Sequence, residues 1–300
     1  MVGLGIMGSA MSASLMAAGF RVIGYDLLEA RRREHRRAGA LVARSARDVA
    51  ARAAIVISSL PSPKALLSVV PQIASATPRP RIVIETSTLP IAVKDQARRL
   101  LRARGITLLD CPLSGTGAQA RAKDLVVYAS GERSACRQVA PVLDGFSRAH
   151  YYVGAFGAGS KTKFVANLLV AIHNVAAAEA LVLARKAGLD PALTLKVIAD
   201  GAGASRMLQV RGPMMVQRDY SNATMKLDVW QKDMTVIAEF AREIGCPTPL
   251  FAASAPFYVA ALAMRPADED SGAVHAVLEA MANASDHEPQ RRRDTEKSRE

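Results

Sequence analysis

Short apolar runs alternate with helix-period segments through the first half of the chain, while the second half shows helix period alone. Phe20–Asp26, Ala54–Pro61, Arg81–Thr88, Ile106–Pro112 and Leu125–Ser130 are rich in Ile, Val and Leu, the pattern of strands buried on both faces. A shorter pair, Leu41-Val42, follows an Arg-rich helical segment. Strands alternating with helices predict a doubly wound parallel sheet, with ligands at the carboxyl ends of its strands. After Gly154 the character changes. A helix from about Ser160 to Lys186 would span roughly 40 Å at about 1.5 Å per residue. Further helical patterns cover Pro191–Asp200, Leu227–Ile244, Pro249–Met264 and Gly272–Met281, and no strand is evident. Gly188 is a stop signal for the long helix and Pro191 a start signal for the next. The expected organisation is an α/β domain over 1–155, an all-α domain over 156–284 on the long helix, and a charged tail, 285–300, with nothing to bury and expected to be disordered.

The N-terminus carries the first chemistry. Gly3-Leu4-Gly5-Ile6-Met7-Gly8 is a G-x-G-x-x-G that opens a helical pattern, and the next strand ends at Asp26. In a Rossmann dinucleotide site the first glycine makes the turn and the second lets the backbone approach the pyrophosphate. The third lets helix and strand pack closely, and the helix N-terminus faces the phosphates. A carboxylate at Asp26 accepts from the adenosine ribose hydroxyls and repels a 2′-phosphate, which favours NAD over NADP; Arg31, Arg32 and Arg33 follow and soften that preference. Only Met1 and Val2 precede Gly3, whereas a central strand runs to about five residues. The first strand is therefore expected to be truncated, or the chain to begin late.

Composition narrows the partners. A formal charge of +12, from 39 Lys and Arg against 27 Asp and Glu, permits contact with anions. The arginines are spread over helix surfaces without interleaved aromatics, so no nucleic-acid partner is expected. Cys111, Cys136 and Cys246 are isolated; they indicate neither a disulfide framework nor a metal site, and point to a reducing, cytoplasmic setting. The first twenty residues lack a basic segment and are punctuated by glycines, unlike a signal peptide, and no membrane span is expected.

Lys163 and Asn167 stand four residues apart in Gly157–Asn167, on one face of the long and otherwise apolar helix. A lysine on the packed side of such a helix is desolvated, which lowers its pKa toward the range that proton transfer needs. Asn167 can hold the ammonium or a substrate hydroxyl. Asn174 falls almost in line with Lys163 and is a candidate pocket wall, whereas His173 points elsewhere and reads as structural. Ser205 and Arg206, in a glycine-rich stretch, are further candidates to meet the substrate. By pattern alone Lys163 also suits a surface position beside Lys161.

Four segments in this order resemble the β-hydroxyacid dehydrogenase family, which includes 3-hydroxyisobutyrate, tartronate semialdehyde and L-threonate dehydrogenases. They are Gly3–Gly8, Asp110-Cys111-Pro112-Leu113-Ser114-Gly115-Thr116, Gly157–Asn167 and Lys232-Asp233. The long helix, with Ile172-His173-Asn174 and Ala178-Glu179-Ala180, looks most like the L-threonate-dehydrogenase-like branch. The resemblance implies hydride transfer between a small 3-hydroxy acid and a nicotinamide, with Lys163 as general acid/base and Asn167 orienting the substrate. It implies a carboxylate site at Ser114, Gly115 and Thr116, where Thr116 replaces the family's usual second glycine, and Ala166 likewise replaces an asparagine. Gly3, Gly5, Ile6, Met7, Gly8, Asp26, Leu60, Pro61, Thr88 and Lys232 would meet the cofactor. Dimers or tetramers that pack through helical domains are implied as well. Two other readings of the residues stay open: reduction of imines or other carbonyls on a similar scaffold, and a catalytically impaired dinucleotide-binding scaffold.

Overall fold

The computed structural model describes residues 1–284, so the charged segment 285–300 lies outside the described residues. Two compact units divide the chain, Met1–Asn167 and Leu168 onward. In the first, the order is α1 (Ile6–Ala17), β1 (Ile23–Gly24), α2 (Glu29–Arg37), β2 (Leu41–Val42), α3 (Ala46–Arg52), β3 (Ile55–Ser58), α4 (Pro63–Ala74), β4 (Ile82–Glu85) and α5 (Ile91–Arg102). Then come β5 (Thr107–Asp110), β6 (Leu113–Ser114), α6 (Gly117–Arg121), β7 (Val126–Ser130), α7 (Arg133–Phe146), β8 (Ala149–Gly154) and the start of α8 (Ala158–Lys186).

Strands β3, β4 and β5 pair in parallel, with Ile57, Ile84 and Leu109 in one register row and Val56, Val83 and Leu108 in the row before. Successive rows face opposite sides of a pleated sheet. The first row joins a core with Met11, Leu15, Val139 and Phe146; the second joins another with Val49, Leu66, Val70 and Leu101. This is the doubly wound layering that near-continuous apolar runs demand. The sheet is not parallel throughout. β7 runs antiparallel to β5 and β6, and β8 then runs parallel to β7. β5 and β6 run in the same direction, and the chain reverses between Ser114 and Val126, across the short α6, which brings β7 back antiparallel to both. Neither β6 nor β8 was evident in the apolar pattern, because β6 is two residues long and β8 exposes Tyr151 and Tyr152.

The N-terminal residues do take the central strand position. Val2 bridges to both Tyr25 and Ser58, its N–H donating to Ile57 O at 2.8 Å and its carbonyl accepting from Ser59 N–H at 3.0 Å. The Met1 ammonium, buried, donates to Ile23 O at 2.7 Å, and burial pushes its pKa down to about 5. Beside it Phe20, Val22, Ile55 and Val142 border a cleft of about 580 Å³.

The second unit is helical: the remainder of α8, α9 (Pro191–Ala199), α10 (Arg206–Gln217), α11 (Leu227–Glu243), α12 (Pro249–Met264), a 3₁₀ turn at Ser271–Ala273, and α13 (Val274–Met281). Helix α10 lay hidden in the sequence behind Gly212-Pro213, which looks like a breaker. A Cβ on Gly212 would lie 2.5 Å from Leu195 Cδ1, so this glycine serves close packing of α10 on α9. Trp230 and Tyr258 pack with ring centroids 5.8 Å apart. Arg211 and Asp270, both buried, pair at 2.7 Å, and Asp270 also accepts from the N–H groups of Thr224, Met225 and Gly272. Burial opposes ionisation of the Asp270 carboxyl, but the Arg211 guanidinium, the Gly272 N–H and the Thr224 hydroxyl together hold it below its ordinary range. Helix α8 is long and apolar enough to cross a membrane by length and composition alone, and 44% of its most apolar window is buried inside the protein.

Candidate active site

The dinucleotide turn is built from glycines with separable tasks. Gly3 has φ +90, and a Cβ there would lie 2.1 Å from Ser59 O. A Cβ on Gly8 would lie 2.0 Å from Gly3 O. Both are required by the protein's own packing. Gly5 differs. Its backbone suits any residue, with φ −66 and ψ −169, and an added Cβ would meet nothing nearer than Arg31 Nη1 at 3.5 Å. Internal packing therefore gives no reason for a glycine at this position, whereas a pyrophosphate laid against the turn does. Gly5 is also the N-cap of α1, and no side chain of the described residues caps that helix start. Its first-turn amides have the arrangement that receives phosphate. Ile6, half-exposed at the same turn, and Met7 flank the amides.

Asp26 stands at the end of β1 and is buried. Its Oδ2 accepts from Leu4 N–H at 2.8 Å and its Oδ1 from Leu28 N–H at 2.9 Å. Arg31 Nη1 is 3.4 Å from Oδ2, and Arg32 Nη1 donates to the Asp26 and Leu27 carbonyls. The carboxylate thus braces the turn while its remaining lone pairs can accept from a ribose. Arg31 and Arg32 bring positive charge to the same place. At the ends of β3 and β4, Leu60 N–H donates to Ser87 Oγ at 2.8 Å, so the Leu60-Pro61 loop is tied to the Ser87-Thr88 loop. Buried Glu85 orders that corner by accepting from Ser87 N–H and from the Ser58 hydroxyl.

The Ser114–Thr116 loop follows β6. Gly115 has φ +135, and a Cβ there would lie 2.7 Å from Leu125 Cδ2, so a glycine is obligatory. Thr116 caps α6 in a reciprocal box: Gln119 N–H donates to Thr116 Oγ1, and Thr116 N–H donates to Gln119 Oε1. Its amide is thereby occupied, while its hydroxyl proton remains available to an acceptor. A Cβ on Gly117 would lie 2.5 Å from Ile6 Cγ2, so the loop's helix rests directly on the dinucleotide turn.

Helix α8 begins against the same strands. A Cβ on Gly159 would lie 2.5 Å from Tyr128 O, 2.6 Å from Asp110 O and 3.0 Å from Pro112 Cδ. One turn later, Lys163 is 7% exposed and Asn167 3%. The surface reading of Lys163 is excluded, while Lys161 on the opposite side is exposed. A network that the sequence did not reveal lies beneath: Lys94 Nζ is 2.7 Å from Asp110 Oδ1, and both side chains are wholly buried. Breaking such a pair typically costs about 3–5 kcal/mol. The available signal is Asp110 itself, a carboxylate in an apolar strand that needs a buried cation; nothing near Lys94 in the sequence marks it as that cation.

In the helical unit, Asn174 is fully buried and its Oδ1 accepts from Arg211 Nη1 at 3.1 Å, an internal contact that the pattern did not show. Lys232 Nζ is 2.9 Å from Asp233 Oδ1. Ser205 caps α10, its hydroxyl accepting from Leu208 N–H at 3.0 Å, and Arg206 is exposed. Among the described residues no cluster of three or more His, Cys, Asp or Glu is placed to hold a metal, and the three cysteines are free.

Residues 1–154 match the NAD-binding domain of 6-phosphogluconate dehydrogenase, and residues 157–278 the NAD-binding family of NADP-dependent 3-hydroxyisobutyrate dehydrogenase. The chain is 31% identical over 277 residues to L-threonate dehydrogenase of Cupriavidus necator, covering 91% of this chain and 93% of that protein. The chain belongs to the β-hydroxyacid dehydrogenase family. A probable 3-hydroxyisobutyrate dehydrogenase of Mycobacterium tuberculosis is 30% identical, covering 94% of this β-hydroxyacid dehydrogenase and 98% of that protein. The solved 3-hydroxyisobutyrate dehydrogenase of Salmonella typhimurium superposes with a TM-score of 0.83 at 29% identity, covering 92% of this chain and 98% of that one. An imine reductase of Streptomyces aurantiacus, at 18% identity and a TM-score of 0.56, shares the fold. This β-hydroxyacid dehydrogenase is accordingly an NAD(P)-dependent oxidoreductase of the 3-hydroxyacid type.

Proposed function

We propose that the protein oxidises the hydroxyl of a small 3-hydroxy acid, threonate-, 3-hydroxyisobutyrate- or tartronate semialdehyde-like, with NAD preferred over NADP, and that Lys163 carries the proton. The observation that supports this reading most strongly is the burial of Lys163 and Asn167 together on α8, on a helix start packed against the strand that leads into Ser114. When bound, the nicotinamide supplies the hydride acceptor or donor. Everything else falls to the protein. The hydroxyls of Ser114 and Thr116 and the Gly115 amide hold the substrate carboxylate. The Lys163 ammonium hydrogen-bonds the reacting oxygen, and its neutral form takes the hydroxyl proton during oxidation and returns it during reduction. Asn167 fixes the direction of that hydroxyl. Gly3, Gly5, Ile6, Met7 and Gly8 receive the pyrophosphate, Asp26 the ribose, and Leu60, Pro61 and Thr88 the nicotinamide half. The family resemblance assigns Lys232 to the nicotinamide end, and its phase on α8, almost in line with Lys163, makes Asn174 a candidate for the pocket wall. A cytoplasmic location and a homodimer or homotetramer belong to the same reading.

The test is NADH formation across L-threonate, 3-hydroxyisobutyrate, L-serine and glycerate, with NADPH consumption on a cyclic imine as contrast, for wild type and Lys163→Ala. General acid–base catalysis contributes a factor of about 10²–10⁴, so the variant should bind NADH normally and lose most turnover. Lys163→Ala with more than about a third of wild-type activity would remove the lysine from this role. Turnover of the imine alone would favour the reductase reading, and no turnover of any compound the scaffold reading.

A further inference from the structure

Several helices of this protein are capped by the residue at their own N-cap: Ser45, Ser62, Thr116, Asp190 and Ser205 each accept from a first-turn amide. Helix α8 takes its caps from the sheet. Gly159 N–H donates to Ser130 Oγ at 2.9 Å, and Ser160 N–H donates to Asp110 Oδ2 at 2.8 Å. The Ser160 hydroxyl donates to Asp110 Oδ1, also at 2.8 Å. Ser130 closes the network by donating to the Asp110 carbonyl at 2.9 Å. Two of the four amides that a helix start leaves without an internal partner are therefore fixed to the ends of β5 and β7. All four side-chain members, Lys94, Asp110, Ser130 and Ser160, are at most 1% exposed.

We propose that Asp110, neutralised by Lys94, is the positioning residue of Lys163: through Ser160 it sets the phase and height of α8, and so the place of the ammonium one turn on. This rests on the reading of Lys163 as the proton carrier. A helix turns by about 100° and rises by about 1.5 Å per residue, so a slip of one residue at its start would swing Lys163 off its face. Ser160 and Lys163 are three residues apart and neighbours on the helix surface. The missing Cβ of Gly159 brings that start within contact of the carbonyls of Tyr128 and Asp110, which leaves no slack along the axis. Catalysis is sensitive to such placement, since about 1 Å of misalignment can cost roughly a factor of 10². Lys94 lets a carboxylate serve in this dry place, and the pair is electrically balanced, so its effect on Lys163 is geometric.

The decisive variant is Ser160→Ala, which leaves the Lys94–Asp110 pair intact and removes one of the three bonds that tie the helix start to the sheet, the hydroxyl bond to Asp110. Expected are a kcat about tenfold lower, an unchanged substrate KM, an unchanged NADH Kd and an unchanged pH profile, with Ser160→Thr recovering most of the loss. The double variant Lys94→Met/Asp110→Leu, which removes both charges together, should lose more kcat than Ser160→Ala at the same NADH affinity. Wild-type kcat in Ser160→Ala overturns the proposal. So does a loss accompanied by an equal loss of cofactor affinity, or one that Ser160→Thr does not relieve. Lys163→Ala is measured beside them: if that variant stays active, the proton-carrier reading has failed, whereas an inactive Lys163→Ala with a fully active Ser160→Ala sinks the positioning role alone.

Discussion

The Leu4 amide donates to Asp26 Oδ2 at 2.8 Å, so one carboxylate both braces the glycine turn and presents acceptors to whatever binds beside it. The two tasks separate experimentally. Wild type should show the higher kcat/KM with NADH, and Asp26→Ala should reduce that discrimination about tenfold, the scale of one hydrogen bond to a charged group. With the carboxylate gone, Arg31 and Arg32 remain to meet a 2′-phosphate. A wild type that prefers NADPH would show that the arginines, not Asp26, set the choice.

The glycines of the turn should respond in opposite ways. Gly5→Ala exchanges a good N-cap for a poor one, about 0.5–1 kcal/mol, so the apo protein should melt within about 3 °C of wild type while NADH binding weakens at least about tenfold. Gly8→Ala pushes a methyl into the Gly3 carbonyl, an overpacking cost of about 1–3 kcal/mol or more, and should lower the apo melting temperature by several degrees. Differential scanning fluorimetry with and without NADH distinguishes them. Equal thermal losses would mean that Gly5 is structural too.

Acid should weaken the protein before its carboxylates titrate. His35 and His275 are buried, and burial first of all lowers each pKa to about 4; the buried N-terminal ammonium adds to the effect at His35, and Arg185 and Arg218 act in the same direction at His275 against Glu279. An unfolded chain binds protons at both sites below about pH 6.5 while the folded one resists until about 4, so stability is present above that window and lost as pH falls through it. Melting temperatures at pH 7.0, 5.5 and 4.5 should decline stepwise, and His35→Gln/His275→Asn should flatten the decline. An undiminished slope in that double variant would place the effect elsewhere.

Self-association is expected through the helical unit. Leu169 and Leu183 on α8, Leu193 and Val197 on α9, and Leu250 and Val259 on α12 are all large, apolar and exposed, and α9 buries none of its residues. Apolar surface of this extent normally marks an interface. Sedimentation at micromolar concentration should give a multiple of 31.9 kDa, and Leu193→Glu/Val197→Glu should shift it toward the monomer. A wild-type monomer would contradict the expectation.

The parts of the candidate site that could be read from the chain are those whose signal is local. A G-x-G-x-x-G, the strand that ends in Asp26 and a helix with Lys163 and Asn167 at a spacing of four each announce themselves within a few residues. What stayed hidden depends on partners distant in sequence. Lys94 and Asp110 meet across 16 residues, and Asp110 and Ser160 across 50. Arg211 and Asp270 meet across 59. No periodicity encodes such pairings. Helix α10 was obscured for a similar reason: the meaning of Gly212 lies in Leu195, not in its own neighbours.

The loop at Ser114–Gly117 also bounds how a different substrate preference can arise. Gly115 is fixed by its backbone and by Leu125, whereas a Cβ at Gly117 would come closest to the Cγ2 methyl of the exposed Ile6, which can turn away. A library that randomises the loop would therefore return glycine at 115, and variation would collect at 114 and 116. Thr116 caps α6, and a glycine there, the residue usual in the family, would give up that cap for only a few tenths of a kcal/mol. Within this segment, new selectivity has the side chains at 114 and 116 to work with, and larger changes must be recruited from other parts of the chain.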